Sequence, residues 1–187
     1  MAENKDLKKK NKKPSDDAYC TSSARIEKYD EDGNLVEIKE IEGNTALIGG
    51  INLLWKLALG LGDDTDNYFF SAANLTLGVG NSSATADSDQ TGLLGTSKAY
   101  KGLDQSTQIQ YPVISDNVIT LRAKFGPDDA NFTWNEWGML NGNPDNLGSR
   151  DPSTVIQYNR KVESMGTKVS GSTWVIVTDI RINPASN

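Results

Sequence analysis

The sequence predicts a mainly β fold: an antiparallel, jelly-roll-like β-sandwich with one helix in the N-terminal half and an extended N-terminal arm. Short runs of β-branched and aromatic residues recur along the chain, glycine, asparagine and serine separate them, and a single segment has helical apolar spacing. A chain of 187 residues is the usual size of one domain. We therefore expect an arm over residues 1–22 and one sandwich domain over residues 23–187.

Positive charge is concentrated in the arm. Its first thirteen residues contain six lysines and two acidic residues, a charge of +4, so the other residues carry −10 of the formal net charge of −6. The acidic domain repels phosphate backbones, which leaves the arm as the only segment suited to nucleic acid. Because so polar a segment cannot fold alone, it either stays solvated or becomes ordered on a partner. The candidate partner-contact residues are Lys8, Lys9, Lys10, Lys12 and Lys13.

A β-hairpin is predicted over residues 23–42. Its strands, at 24–29 and 35–41, flank Asp32 and Gly33, a pair that favours the positive φ angles of a hairpin turn. Charged side chains are frequent in both strands, which is typical of the edge of a sheet, because charge discourages unwanted strand pairing.

The helix is predicted over residues 45–59, with Asn44 or Thr45 as its N-cap and Gly60 at its end. Two glycines near its start indicate close packing against another backbone, since each costs about 1 kcal/mol of helix propensity relative to alanine. The expected apolar face consists of Leu47, Ile51, Leu54 and Ala58, with Ile48 and Trp55 beside it. We therefore expect Trp55 in the core.

Strand patterns occupy most of the remaining chain. They lie at residues 68–70, 75–79, 109–113, 118–125, 132–139, 155–162 and 173–182. The last run alternates, with Trp174, Ile176, Thr178, Ile180 and Ile182 on one face. Leu121, Ala123 and Phe125 likewise share one face of their strand.

The residue inventory argues against an enzyme. The chain has no histidine, which removes the commonest general base and metal ligand, and Cys20 is the only cysteine. No phosphate-binding loop or complete dinucleotide fingerprint is present. The apolar run at 46–61 includes Lys56 and is too short to span a bilayer, and the first thirty residues contain no secretory signal. We expect no catalytic residues, cofactor, metal or membrane contact.

Glu136 is the strongest remaining catalytic candidate, because apolar neighbours can raise the pKa of a carboxyl into the range of a general acid. Strand alternation predicts that Trp134 and Glu136 share one face and that Asn135 and Trp137 share the other. The competing interpretation is structural: Glu136 accepts hydrogen bonds from loop amides, or pairs with Arg122 or Arg160 inside the fold. We favour it, and treat Trp134, Asn135, Glu136, Trp137 and Gly138 as a fold-defining motif.

The residue types present also allow two binding functions, calcium binding and carbohydrate binding. Acidic residues at 63–66 and 128–129 supply oxygen ligands for calcium, but neither run has the glycine and distal glutamate of an EF-hand loop, so solvated turns are expected. A carbohydrate-binding β-sandwich module is the alternative function. Its stacking platforms would be Trp134, Trp137, Tyr68 or Tyr111.

Several stretches resemble, in the same order, small tail- or head-associated virion structural proteins of tailed bacteriophages. They are GINLL at 50–54, LGVGNSSATA at 77–86, TGL at 91–93, FG at 125–126, ANFTWNEWG at 130–138, GTK at 166–168 and GSTWV at 171–175. The resemblance covers about residues 47–182 and leaves the lysine-rich arm outside it.

The resemblance implies a virion protein, made and assembled in the host bacterial cytoplasm, that binds other virion proteins and copies of itself. A tail or neck adaptor, a fibre-attachment protein and a capsid decoration protein all fit it. The chain lacks the long repetitive sequence of a fibre shaft, which favours a short adaptor or decoration role.

Overall fold

The computed structural model describes residues 19–61, 72–106, 108–142 and 155–183. These residues form two antiparallel sheets and one helix, which confirms the predicted β-sandwich class. The jelly-roll connectivity stays a prediction. No helix in the described ranges has the length and apolar character needed to cross a membrane.

The elements follow one another along the chain in this order: β1 (Tyr19–Tyr29), β2 (Leu35–Glu42), β3 (Thr45–Ala46), α1 (Ile48–Ala58), β4 (Leu75–Gly80), β5 (Lys98–Gly102), β6 (Val113–Ser115), β7 (Val118–Phe125), β8 (Thr133–Asn141), β9 (Ile156–Gln157), β10 (Asn159–Thr167) and β11 (Thr173–Asn183). The first sheet has the order β2-β1-β11-β7-β6. The second has the order β3-β10-β8-β4-β5, with β9 also paired to β8.

The predicted hairpin is confirmed as β1 and β2. Gly33 has a φ of 82°, and the Asp30 carboxylate accepts hydrogen bonds from the backbone amides of Asp32 and Asn34. The arm was predicted to extend to residue 22, but β1 begins at Tyr19. Residues 19–22 belong to the sheet because the long strand β11 continues to Asn183 and pairs with them.

The core lies between the two sheets. Leu121, Ala123 and Phe125 of β7 face it, as predicted, together with Trp174, Ile176 and Ile180 of β11. Ile182, which was placed on the same face, is exposed because it lies at the end of β11. The second sheet contributes Leu75, Leu77, Val79, Trp137 and Met139.

Helix α1 differs from its prediction at the start and in the face that it buries. Thr45 lies in β3, and Leu47 occupies the N-cap position without a side-chain cap. Gly50 and Leu53 are the buried helical residues, and a Cβ on Gly50 would lie 2.6 Å from the carbonyl oxygen of Tyr158. Docking through this glycine turns Trp55 outward, where it is 64% exposed, so the expectation of a core tryptophan was wrong.

Three strand predictions need correction or lie outside the described residues. The run at 109–113 is mostly loop, and strand pairing begins only at Val113, the first residue of β6. The run at 155–162 divides into β9 and β10 at Tyr158. Strand β5 was missed because its sequence is largely polar, and residues 68–70 are not described.

Candidate functional site

The motif at residues 134–138 is the centre of the second sheet. Trp134 and Trp137 both face the core, and the Trp134 ring packs edge-to-face on Phe125 and Trp174, with centroids 4.9 Å apart in each pair. Simple alternation had placed the two tryptophans on opposite faces. Both pack in the core, so the period of two is interrupted at this end of β8 and the prediction was wrong. The pairing with β10 is irregular in the same region, with the additional residues on β10.

Glu136 lies on the other side of β8, enclosed beneath the loop of residues 81–97. Its Oε2 accepts a hydrogen bond from Arg160 Nε at 2.6 Å and one from the Leu94 amide at 3.1 Å. Its Oε1 accepts a hydrogen bond from the Gly95 amide at 2.6 Å. Both side chains of the Glu136–Arg160 pair are 0% exposed. The structural interpretation of Glu136 is therefore confirmed, with Arg160 rather than Arg122 as its partner.

Arg160 extends this network into the loop. Its Nη1 donates to the side-chain oxygen of Gln90 at 2.9 Å and to the Thr85 carbonyl oxygen at 3.3 Å. Its Nη2 has no hydrogen-bond partner among the described residues. The loop and the sheet are thus joined by charge-assisted hydrogen bonds in an enclosed position, where such bonds are strongest.

Glycine makes room for the loop on this face of the sheet. A Cβ on Gly80 would collide with the Glu136 carboxylate, and a Cβ on Gly95 would lie 2.6 Å from the Asn81 amide nitrogen. A Cβ on Gly138, the last residue of the motif, would likewise collide with the carbonyl oxygen of Asn159. The small residues let a carboxylate, an arginine and a loop backbone occupy one layer. The fold-defining role of the motif stays a prediction.

The other predicted ligand groups are engaged within the fold or lie outside the described residues. Asp129 accepts a hydrogen bond from the Gly126 amide at 2.8 Å and pairs with Lys101 at 2.9 Å. Burial acts to raise the pKa of Asp129, but these two partners outweigh it and lower the pKa overall. The described residues contain no group of three or more candidate metal-binding side chains, and residues 63–66 are not among them.

Two of the four proposed sugar-stacking aromatics are enclosed. Trp134 and Trp137 are 0% exposed, so neither presents a ring face to a ligand. Tyr111 is partly buried against the core, and Tyr68 lies outside the described residues. Trp55 on α1, which the sequence had placed inside, is 64% exposed.

Exposed large apolar side chains occur singly on β6, β11 and several loops, whereas two elements of the described chain, α1 and β2, carry three each. On α1 they are Ile48, Ile51 and Trp55, which share one face of the helix, followed by Leu59 just beyond its end. On β2 they are Leu35, Val36 and Ile38. Exposed apolar groups that cluster in this way are typical of surfaces that contact other proteins. The charged residues that alternate with apolar ones in β2 could have predicted from the sequence that this strand is exposed to solvent.

Strand β2 also has a free edge. In the described part of the chain it pairs only with β1, and it forms the border of the first sheet. Lys39 donates to the Ser164 carbonyl oxygen, and Lys28 pairs with Glu37 at 2.8 Å while its Nζ lies 4.6 Å from the Trp174 ring centroid. These contacts anchor β2 to the sandwich and leave its outer edge available for strand pairing.

An apolar cavity of about 240 Å³ opens at one end of the sandwich. Leu54, Ile119, Met139 and Tyr158 line it. The Tyr158 hydroxyl lies 3.6 Å from Cys20 Sγ. Burial, followed by the hydrogen bond with Cys20, raises the pKa of Tyr158 above its usual range, so the phenol stays protonated at neutral pH.

The predicted contact residues of the arm, Lys8 to Lys13, lie outside the described residues, so their role stays a prediction. Comparison of the chain with protein-family models, with curated proteins and with solved structures found no match in any of the three.

Proposed function

We propose that this chain is a structural protein of a tailed-bacteriophage virion, which assembles through protein–protein contacts as a tail or neck adaptor, a fibre-attachment protein or a capsid decoration component. The observation that carries the proposal is the position of the apolar side chains on α1 and on the edge strand β2, which are exposed to solvent. Glu136, the strongest candidate for acid–base chemistry, is enclosed in an ion pair instead.

Assembly through β2 uses a known mode of recognition. A free sheet edge binds an added strand through its backbone, and side chains on alternate positions supply specificity. A virion component present in many copies repeats such a contact by symmetry. The ordered stretches that resemble phage structural proteins, from residue 47 to residue 182, support the same assignment.

The lysine-rich arm is proposed to bind a neighbouring subunit. Its charge of +4 is opposite in sign to the −10 of the remaining chain, so the arm of one copy is electrostatically attracted to the domain of another. The partners proposed are other virion proteins and copies of this chain, and synthesis and assembly are placed in the host bacterial cytoplasm.

The test uses particles from a bacterium that carries this gene within a phage or prophage. Antibody raised against the purified chain should label intact virions at a single structural location by electron microscopy. Virions that contain none of the chain by immunoblot, while the lysate contains it in soluble form, would refute the proposal.

The arm is tested separately. Deletion of residues 1–18 should leave the domain folded, because β1 begins only at Tyr19, and should reduce incorporation of the chain into particles. Full incorporation of the truncated chain, measured against an untagged parent from the same host, would exclude a role for the arm.

A further inference from the structure

The outer edge of β2 carries a pattern that fits a copy of itself. Among the described residues this edge has no strand partner, and Val36 and Ile38 are exposed on it at 63% and 49%. Exposed apolar edge strands promote pairing with another chain, so the identity of the partner must be set by the side chains.

Side-chain direction restricts how β2 can pair with a second β2. Opposite residues of an antiparallel pair place their side chains on the same face of the sheet, and successive residues alternate between faces. Ile41 of β2 points into the core and is 1% exposed, so Ile38 and Glu40 point to the outer face. A two-fold axis between two identical strands must therefore lie midway between two copies of the same residue. An axis "through" a residue means one in this position.

Charge and the length of strand that can pair then select one register. An axis through Glu37, Lys39 or Glu40 places that residue opposite its own copy, which sets like charges against each other. An axis through Glu42 does the same, and an axis through Ile41 pairs Glu40 with Glu42 and is also repulsive. An axis through Leu35 or Val36 opposes no like charges but pairs at most three residues of the strand, whereas an axis through Ile38 pairs seven. An axis through Ile38 pairs the two Ile38 side chains and places Glu37 opposite Lys39 twice, where each adds a contact between copies to the one it already makes within its own chain, Glu37 with Lys28 and Lys39 with Ser164 and Glu163.

We propose that two copies of this chain associate by antiparallel pairing of their β2 strands around a two-fold axis at Ile38, so that the first sheet continues from one copy into the other. The inference deepens the proposed function by naming the partner of the β2 edge. Charges on an edge strand usually prevent pairing, but here they oppose the alternative registers and are complementary in this one.

Disulfide trapping tests both the contact and the register. In a Cys20→Ser background, Ile38→Cys places two thiols on directly opposite residues, whose Cα atoms lie roughly 5 Å apart, within the range for a disulfide. Val36→Cys is the matched control, because it is equally accessible on the same face but is offset from its copy by four residues, about 13 Å.

Mild oxidation of the purified chain should give a covalent dimer from Ile38→Cys and little from Val36→Cys. Equal cross-linking of the two variants would indicate random collision and would overturn the proposal. Absence of cross-linking from both, at protein concentrations up to the solubility limit, would overturn it as well.

Charge exchange supplies an independent measurement. Glu37→Lys should weaken dimerisation roughly tenfold in sedimentation equilibrium, because two attractive pairs between copies become repulsive, and Glu37→Lys/Lys39→Glu should restore most of it. Both variants also break the ion pair of Glu37 with Lys28 within the chain, so each is compared with Lys28→Met, which removes that pair and leaves Glu37 and Lys39 in place. Glu42→Lys makes the same charge change on the same strand, opposite the neutral Asn34 of the second copy, and should have little effect. Thermal unfolding of each variant checks that the domain remains folded.

A double variant as weak as Glu37→Lys would contradict the register. These measurements use the purified chain, whereas the virion assignment is judged on particles. Dimerisation without incorporation would therefore refute the proposed function alone, and incorporation of a strictly monomeric chain would refute the β2 contact alone.

Discussion

Replacement of Glu136 by glutamine should destabilise the domain severely. Glutamine removes the negative charge that compensates Arg160. Its amide NH2 group must also replace one carboxylate oxygen, so a donor faces either the Arg160 and Leu94 donors or the Gly95 amide. Loss of one member of an enclosed ion pair costs about 3–5 kcal/mol. For a chain of this size, 1 kcal/mol corresponds to about 2–4 °C, so we expect the melting temperature to fall by about 6–20 °C.

Thermal and urea unfolding, followed by tryptophan fluorescence, would measure the loss. Glu163→Gln is the matched control, because Glu163 pairs with Lys39 and Lys161 at 3.6 Å in a partly exposed position, where such pairs contribute about 0–1 kcal/mol. A melting temperature for Glu136→Gln within about 2 °C of the parent would refute the assigned role of the ion pair.

A double-mutant cycle isolates the interaction between the two side chains. Arg160→Met removes the cation and leaves the Glu136 carboxylate enclosed without its partner, so this single variant should also be destabilised. The double variant Glu136→Gln/Arg160→Met should lose less stability than the two single losses added together, by about 0.5–3 kcal/mol. Strict additivity would mean that the two groups stabilise the fold independently.

The remaining predictions concern packing and pH. Gly50→Ala should cost about 1–3 kcal/mol in urea unfolding because of collision with the Tyr158 backbone, whereas Gly49→Ala, with its nearest contact at 3.5 Å, should be tolerated. Because the pKa of Asp129 is lowered in the fold, its ionised carboxylate stabilises the domain above the unfolded-state pKa, and this stabilisation is lost as pH falls through the folded-state pKa. The stability of Asp129→Asn should therefore fall less steeply than that of the parent below about pH 4. The raised pKa of Tyr158 predicts a phenol that resists ionisation in alkaline absorbance titration of the folded chain, a component that Tyr158→Phe should remove.

The predictable part of this fold is the part governed by local pattern. The hairpin turn at Gly33, strand β7 and strand β11 follow from turn chemistry and from alternation along a single strand, which act over a few residues. The structural role of Glu136 was also predictable, since a carboxylate among tryptophans must find partners when it is buried.

Position within the tertiary structure decided the rest. Trp55 belongs to an apolar helical face, but the close approach of Gly50 to Tyr158 determines which face of α1 is buried. Trp134 and Trp137 pack on the same side of β8, against simple alternation, in a region where the pairing with β10 is irregular. The recurrence of short strand patterns along the sequence predicted the mainly β class, because such strands must pair into sheets. The exposure of β2 depends instead on which strand lies at the border of the sheet, and only long-range pairing determines that.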